Sequence, residues 1–351
     1  MKSQYKMQYG AIDLVKFICA ILIVCAHYIS EYCEGKINKI IEYTSSLYII
    51  VVPFFFVCAG FLLFSKVLND KEKRDEIVKR YIMRILKIYL AWSLIYIFFN
   101  ILKWIRFGID VKSIVKYIIN SICYSTYQTI WFLPALAFGV WFTFIFIKNN
   151  RITELFLVAI LFYLIGALGV SYSFIIYKGS LKNIIDIYNS IFVSTRNGIF
   201  NGFPFITIGY LIAYQQRLKS RKVYMNLLLS LLFGVFFIIE AFLIKFKYNA
   251  INANTLIMLV PFIYFFVCLL IQIPVKSNKL LKWMRAISTI IFVCQRIYLS
   301  AIPELFPNGI IFKMLNGNPY ISIFILLFNI IITAEIIRLA SKKYKLMSYL
   351  C

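Results

Sequence analysis

The sequence predicts an all-α, polytopic membrane protein with about ten transmembrane helices and amphipathic helices at its outer face. Its 351 residues are 62% hydrophobic and only 15% charged, whereas about a quarter of a soluble domain is charged. Its mean hydropathy is +0.84. Apolar runs recur along the whole chain and are continuous rather than alternating, which favours helices over a β-barrel.

Each predicted span is an apolar run near the length of about 20 residues that crosses the hydrocarbon core as a helix. The first span carries Asp13 and Lys16 near its start and lacks a small-residue cleavage site, so we expect it to be retained rather than cleaved as a signal peptide. Residues 1–351 are expected to form one integral-membrane domain. The predicted spans are 11–30, 45–65, 82–102, 128–147, 153–172, 198–214, 223–244, 253–273, 286–304 and 319–340.

The basic residues are biased to one side of these spans. About two thirds of the 38 Lys and Arg residues lie at the two termini and after the even-numbered spans. The positive-inside rule therefore predicts cytoplasmic termini in a cell (inner) membrane. The net charge of +24 is therefore explained by basic residues that flank the spans at the surface of the lipid bilayer. For this reason we expect no nucleic-acid partner.

Two further segments, 105–122 and Ser180–Phe192, are too polar to span the membrane. Their apolar residues recur at three- and four-residue spacing, which is typical of amphipathic helices lying at an interface. We expect them at the outer face, where they either roof a cavity or serve as interfacial anchors.

His27 is the one histidine of the chain and lies inside the first span. An ionisable group at that depth is costly unless it faces a polar interior, and histidine suits proton transfer near neutral pH. It lies about 24 Å along the helix from residue 11, nearer the outer side. Two roles are open for His27: it acts as a catalytic base, or it makes a structural hydrogen bond between helices. Glu31, one turn further on, either orients the imidazole or points into outer water.

Arg80 and Arg84 are one turn apart where the chain enters the third span, and Lys87 extends the same basic stripe. Such a stripe suits phosphate binding, because the guanidinium fork matches phosphate oxygens. The alternative is ordinary positive-inside anchoring. Asp13 and Lys16, three residues apart at the inner start of the first span, are expected to pair with each other or with this stripe.

Glu240, Arg296 and Glu335 also fall inside predicted spans. We expect structural ion pairing, with either carboxylate as the partner of the central Arg296. Arg196, just outside the sixth span, is expected to meet an anionic or hydroxyl-rich acceptor. The eight cysteines have no metal-type spacing, so neither a metal site nor a disulfide framework is expected. No phosphate-loop, dinucleotide-binding, nucleophile-elbow or zinc-protease motif occurs.

Five segments, in order, resemble the integral-membrane acyltransferase-3 family. The first matches an Asp-x-x-Arg pattern followed by an apolar stretch and a histidine, and the second matches an aromatic run before Ser-Gly-Phe. The resemblance covers nearly the whole chain and is greatest to the branch that includes the membrane half of the vancomycin-resistance serine racemases. The segments are 12–27 (IDLVKFICAILIVCAH), 52–63 (VPFFFVCAGFLL), 84–92 (RILKIYLAW), 131–136 (WFLPAL) and 201–213 (NGFPFITIGYLIA).

The resemblance implies transfer of an acetyl or other acyl group from cytoplasmic acyl-CoA, acetyl-CoA in particular, to a hydroxyl or amine. The acceptor would be a cell-surface glycan or a small molecule, as in O-acetylation of the cell envelope. The roles implied for this sequence are His27 as base with Glu31 beside it; Arg80, Arg84, Lys87, Lys16 and Asp13 at the CoA site; and Arg196, Trp131 and Asn201 at the acceptor.

The chain departs from the family pattern at several positions. Lys16 and Ala59 stand where the family usually has arginine and serine, and the paired arginines are four residues apart instead of three. The ninth-span pattern, aromatic-x-x-His-Pro, appears as FVCQR over 292–296, so Gln295 replaces its histidine. These departures indicate either an altered acceptor or lost catalysis.

Two other functions remain open from the sequence. A transporter or flippase for a small polar solute or lipid-linked sugar would use His27, Glu240, Arg296 and Glu335 as a substrate or proton path. A non-catalytic membrane scaffold is the third function. The acceptor, the acyl chain length and the oligomeric state, a homodimer included, are not fixed by the sequence.

Overall fold

A computed structural model gives the fold of residues 9–33, 35, 46–176, 180–218, 221–248 and 255–351. Over these residues the chain is helical and contains no strand, which confirms the predicted all-α class. The N-terminal Lys2 and Lys6, which contribute to the predicted charge bias, lie outside the described residues. So do the predicted starts of the second and eighth spans, at residues 45 and 253.

Fourteen α-helices are numbered in chain order over the described residues. Three π-helical turns adjoin them: Gly198–Gly202 leads into α8, Leu243–Lys247 continues α9, and Ile297–Ala301 joins α11 to α12. The helices are α1 (Gly10–Tyr32), α2 (Val51–Asn69), α3 (Arg74–Phe107), α4 (Val111–Cys123), α5 (Phe132–Lys148), α6 (Ile152–Gly169), α7 (Ser180–Phe192), α8 (Phe203–Leu218), α9 (Val223–Phe242), α10 (Leu259–Gln272), α11 (Lys279–Arg296), α12 (Ile302–Leu305), α13 (Ile310–Leu315) and α14 (Pro319–Lys343).

In the described part of the chain, seven helices are long and apolar enough to cross a bilayer. Two further apolar helices, α5 and α10, are shorter. The predicted sixth span, 198–214, corresponds to the π-helical turn running into α8. Each predicted span therefore coincides with a helix. Large exposed apolar side chains such as Leu94, Ile105 and Phe324 cover the outside of the bundle, as expected of a surface solvated by lipid.

The predicted amphipathic segment 105–122 begins too early. Residues 105–107 complete α3, and Gly108, at φ 75°, ends that helix. Only glycine adopts this backbone conformation without strain. The amphipathic helix α4 then starts at Val111, where the Asp110 side chain accepts a hydrogen bond from Ser113 N at 2.7 Å. The other predicted segment matches α7 at both ends, and α4 packs against α7.

Helices α2 and α8 pack extensively against each other, and glycines from each helix meet at their crossing. A Cβ atom on Gly60 would lie 2.6 Å from Ile206 O, and one on Gly209 would lie 2.6 Å from Phe61 N. Small residues permit such close backbone approach between membrane helices. This crossing fixes α2 in the centre of the bundle, beside α1.

The pair that positions the candidate site is α1 and α11, which pack along one another. Of the helices long enough to span, α11 with its continuation to Leu305 is the most enclosed, with 72% of its apolar window buried against 61% or less for the others. Tyr32, at the end of α1, donates a hydrogen bond to Leu299 O at 2.6 Å. The polar groups in the second half of α11, Ser288, Gln295 and Arg296, are therefore enclosed by protein.

Candidate active site

His27 on α1 is contacted directly by Arg296 at the end of α11. The distance from Arg296 Nη2 to His27 Nδ1 is 3.0 Å. A guanidinium N–H only donates, so Nδ1 must be the acceptor and the neutral imidazole carries its proton on Nε2. In this arrangement the lone pair that would accept a proton is already hydrogen-bonded to Arg296.

Glu31 completes this cluster through Arg296 and not through the histidine. Its Oε1 lies 2.5 Å from Arg296 Nη1, and the Arg296 side chain is only 5% exposed while that of Glu31 is 33% exposed. The predicted ion pair of Arg296 with Glu240 or Glu335 is therefore wrong. A residue four positions after His27 on α1 supplies the carboxylate instead.

The two other intramembrane carboxylates have local partners. Glu240 accepts hydrogen bonds from Ile257 N at 2.9 Å and Met258 N at 2.8 Å, and it is also bonded to the Tyr172 hydroxyl. Glu335 pairs with Arg338 at 2.5 Å on its own helix, and Trp283 Nε1 donates to it at 2.8 Å. Both carboxylates act as structural links between neighbouring segments.

Two of the predicted acceptor residues lie together at the end of the bundle that contains His27, which we call the His27 end. The Arg196 guanidinium lies 5.3 Å from the centre of the Trp131 ring, and Tyr124 stacks on the same ring at 5.9 Å. Burial raises the pKa of the Tyr124 phenol, which therefore stays a neutral group beside Arg196. Arg196 and Arg296 are both within electrostatic range of His27.

The third predicted acceptor residue, Asn201, lies in the π-helical turn before α8 and is 2% exposed. Its Oδ1 has no hydrogen-bond partner among the described residues. Buried polar atoms without partners are rare in folded proteins. No hydrogen bond among the described residues joins Asn201 to His27, so its place in the site stays a prediction.

A second cluster of charge lies at the other end of α1, which we call the Lys16 end. Asp13 is 5% exposed and pairs with Arg285 on α11 at 3.4 Å, so its partner is neither Lys16 nor the basic stripe. Lys16 Nζ lies 5.9 Å from the centre of the Phe55 ring. Asp13, Arg285 and Arg84 are all within electrostatic range of Lys16.

The three members of the predicted stripe on α3 have different surroundings. Arg80 is paired with Glu76 at 3.3 Å and its side chain is 67% exposed. Lys87 lies 5.6 Å from the centre of the Tyr349 ring, in the segment that follows α14. Arg84 is exposed and forms no ion pair within the described residues. Arg84 is thus the member of the stripe that has a free guanidinium and adjoins the Lys16 end.

Three phenylalanines separate the two clusters. Phe55, beside Lys16, packs against Phe132 and Phe292 at ring-centre distances of 6.1 and 5.7 Å, and those two rings are 5.3 Å apart. Phe292 is one helical turn before Arg296. This aromatic trio is apolar and largely buried, so it limits the passage of water between the Lys16 end and the His27 end.

Two residues with direct contacts were not predicted as part of either site. The sequence marks Arg296 as a residue of interest, because a charge in the middle of a span requires a partner, but it does not identify that partner. Arg285 is not marked in this way, since it is one of several basic residues at the start of α11. Both belong to α11, and both pair with carboxylates of α1.

The fold and the site together define a multi-pass helical membrane protein with an intramembrane His–Arg–Glu cluster at one end of a helix and a cationic cluster at the other. Comparison with known proteins gives the family: the model of the acyltransferase-3 family, described as an acyltransferase domain, matches residues 9–337. The chain belongs to this family.

The curated relatives that match are longer proteins from enterococci. An amino-acid racemase of Enterococcus faecalis is 31% identical over 232 residues, which is 64% of this chain and 31% of the relative. A serine/alanine racemase of Enterococcus gallinarum is 26% identical over 231 residues, or 64% of this chain and 32% of the relative. The chain thus spans about a third of the length of these relatives. No solved structure matches the chain significantly.

Proposed function

We propose that the protein transfers an acyl group from acyl-CoA, bound at the Lys16 end, to a hydroxyl or amine bound at the His27 end. The acceptor is a cell-surface glycan or a small molecule, and the Lys16 end faces the cytoplasm of the cell membrane. The observation that carries the proposal is the pairing, within an acyltransferase-3 domain, of the chain's one histidine with a buried guanidinium at one end of α1 and a cationic cluster at the other.

The Lys16 end has the charge that a CoA donor requires. Arg84 offers an exposed guanidinium fork, Lys16 and Arg285 add positive charge, and Asp13 is the buried counter-ion of Arg285. Phosphates prefer arginine because two parallel N–H groups match two oxygens. Arg80 and Lys87 extend the same positive surface, although each already has a contact within the protein.

In the proposed reaction His27 removes the proton of the acceptor hydroxyl through Nδ1. The acceptor oxygen attacks the thioester carbon, the C–O bond forms, and the C–S bond breaks. The CoA thiolate leaves and recovers the proton from His27, so that acyl-CoA and alcohol give ester and free CoA. This step requires Arg296 Nη2 to release Nδ1, while Nη1 stays on Glu31.

The transport alternative loses support at two of its four residues. Glu240 is occupied by two backbone N–H groups and a tyrosine, and Glu335 by Arg338 and Trp283. A proton path through either carboxylate would first have to break these bonds. His27 and Arg296 remain compatible with transport, and the test below separates the two functions.

The names of the relatives bear on the acceptor. They are named as racemases of amino acids, of serine and alanine in one case. Amino acids carry an amine, and serine also carries a hydroxyl, so small acceptors of this kind belong in the acceptor screen beside glycans.

The test is the melting temperature of the purified protein in detergent, titrated with acetyl-CoA and with CoA. A ligand that binds only the folded state raises stability by mass action. We expect a saturable increase that Arg84→Ala weakens. The matched control is Lys79→Ala, which removes an exposed charge from the same stretch of α3 but from another face. His27→Ala should keep the increase while abolishing transfer of labelled acetyl groups.

Three outcomes would count against this proposal or a part of it. The absence of any increase at millimolar acetyl-CoA would favour transport, and His27 would then be tested for proton coupling. Normal acyl transfer by His27→Ala would exclude it as the base. An equal loss of binding in Arg84→Ala and Lys79→Ala would reduce the stripe to ordinary membrane anchoring.

A further inference from the structure

We propose that the acceptor carries an oxyanion, a carboxylate or a phosphate, close to its reacting hydroxyl or amine, and that Arg196 and Arg296 bind this oxyanion. The inference rests on the proposed acyl transfer and names the substrate class of that same site. Three observations support it: the balance of charge around His27, two buried polar atoms without partners, and the hydrogen bond that occupies the imidazole.

Among the described residues, positive charge exceeds negative charge around His27. Arg296 lies 3.0 Å from the imidazole and Arg196 is the other cation near it, whereas one described carboxylate, Glu31, is committed to Arg296 at 2.5 Å. Glu304, a further described carboxylate near this end, is paired with Lys103 at 2.7 Å. Arg196 makes no ion pair within the described residues although it is half-buried. A guanidinium in that position favours an anionic partner.

Two neighbouring buried side chains have unused hydrogen-bonding atoms. Arg296 is 4% exposed and its Nε has no hydrogen-bond partner within the described part of the chain; the same holds for Oε1 of Gln295, which is 0% exposed. Nε–H can only donate and the amide oxygen can only accept. An oxyanion satisfies the first atom, and a hydroxyl or amine satisfies the second. Gln295 and Arg296 stand where the family pattern has histidine and proline, so this arrangement belongs to this chain.

The hydrogen bond between Arg296 and His27 gives the oxyanion a second effect. Nη2 occupies the one lone pair of the neutral imidazole, so His27 cannot act as a base while that bond is intact. An oxyanion that takes the guanidinium N–H groups frees Nδ1 as the acceptor arrives. A neutral acceptor has no such group, and it is therefore expected to be turned over slowly even when it saturates the site.

The test needs no acyl donor. The melting temperature of the purified protein is titrated with three probes on one scaffold, namely glycerol, glycerate and glycerol 3-phosphate, and repeated with glucose, glucuronate and glucose 6-phosphate. We expect a saturable increase with at least one charged probe of a set, at a concentration at least tenfold below that of any increase with the neutral probe. The carboxylate and phosphate probes distinguish the two oxyanions.

Variants assign the effect to the site. Arg196→Gln is expected to remove the preference for charged probes. The matched control is Arg106→Gln: Arg106 also lies over an aromatic ring, that of Phe306 at 5.0 Å, and it is not among the charges acting on His27. Arg196→Lys keeps the charge and is expected to keep part of the preference.

Equal increases with charged and neutral probes, or none with any probe, would overturn the proposal, and this comparison uses the unaltered protein alone. A preference that survives Arg196→Gln, or that Arg106→Gln removes equally, would overturn the assignment to Arg196. Failure of the proposed function is read separately, from the acetyl-CoA titration for donor binding and from the transfer of labelled acetyl groups for acyl transfer.

Discussion

Replacing Arg296 with methionine should destabilise the protein through the loss of a buried charge pair. The guanidinium makes hydrogen bonds of 2.5 Å to Glu31 and 3.0 Å to His27 from a side chain that is 5% exposed. A hydrogen bond to a charged group contributes about 1.5–3 kcal/mol, and removing one partner of a fully buried pair costs about 3–5 kcal/mol. The 33% exposure of Glu31 lets water compensate in part, so we expect a loss of about 2–3 kcal/mol.

The double variant distinguishes an ion pair from simple loss of packing. Arg296→Met leaves Glu31 without its counter-ion, and adding Glu31→Gln removes that uncompensated charge. The two changes should therefore be non-additive, with a coupling energy of at least about 1 kcal/mol. The matched control is Arg338→Met, which breaks a pair of the same length, 2.5 Å to Glu335, within one helix at a more exposed position. We expect a loss of about 0.5 kcal/mol there.

The assay is unfolding of the purified protein by increasing mole fractions of SDS in mixed micelles, followed by tryptophan fluorescence. A wild-type midpoint for Arg296→Met, or additive effects in the double variant, would refute the buried-pair argument. A loss as large in Arg338→Met would mean that the assay reports helix ends and not the enclosure of Arg296.

Three further changes probe other parts of the fold. In Gly209→Ala the new Cβ would lie 2.6 Å from Phe61 N, so this variant should lose about 3 kcal/mol or more of stability in the same SDS titration. The control is Gly234→Ala, whose Cβ meets only a ring edge at 3.3 Å and which should be tolerated because alanine favours the helix by about 1 kcal/mol. Equal effects of the two changes would contradict the close crossing of α2 and α8. Glu240→Ala leaves the Met258 N–H, just before α10, without its acceptor and the Ile257 N–H with only the Tyr172 hydroxyl at 3.4 Å. It should lower stability by about 2 kcal/mol, so an unchanged midpoint would mean that water replaces the carboxylate. Ser113, in the first turn of α4, donates hydrogen bonds from its side chain and its backbone to Asp110, and these lower the pKa of the Asp110 carboxyl. Its stabilising effect is therefore present above the unfolded pKa near 4 and is lost as the pH falls through the lower folded value. The difference in melting temperature between wild type and Asp110→Asn should shrink between pH 7 and pH 3, and a constant difference would exclude this titration.

Local features of the fold were predictable because hydropathy and periodicity are local properties of a sequence. Ser180–Phe192 was predicted with both ends correct, and the predicted spans coincide with helices. The start of α4 was wrong because residues 105–107 carry apolar side chains that suit either helix. The break depends on the backbone conformation of Gly108, and a glycine in a sequence does not state its φ angle.

The site was predictable only where one helix carries the information. His27 and Glu31 share a face of α1, and both lie in the cluster. The partner of Arg296 could not be predicted, because α11 packs against both α1 and α14 and the sequence does not say which of these helices Arg296 faces. Arg285 was missed for the same reason, since its contact with Asp13 comes from another helix.

Helix α1 also fixes the distance between the Lys16 end and the His27 end. Lys16 and His27 lie on one helix that is unbroken from Gly10 to Tyr32, so their separation is about 16 Å along the axis and their directions differ by only about 20° around it. A donor held at the first residue can react at the second only if its flexible arm has that reach. Inserting a single residue between them would turn His27 by about 100° and carry it away from Arg296. In the proposed acyl transfer, the length of this helix therefore sets which acyl carriers can reach the acceptor.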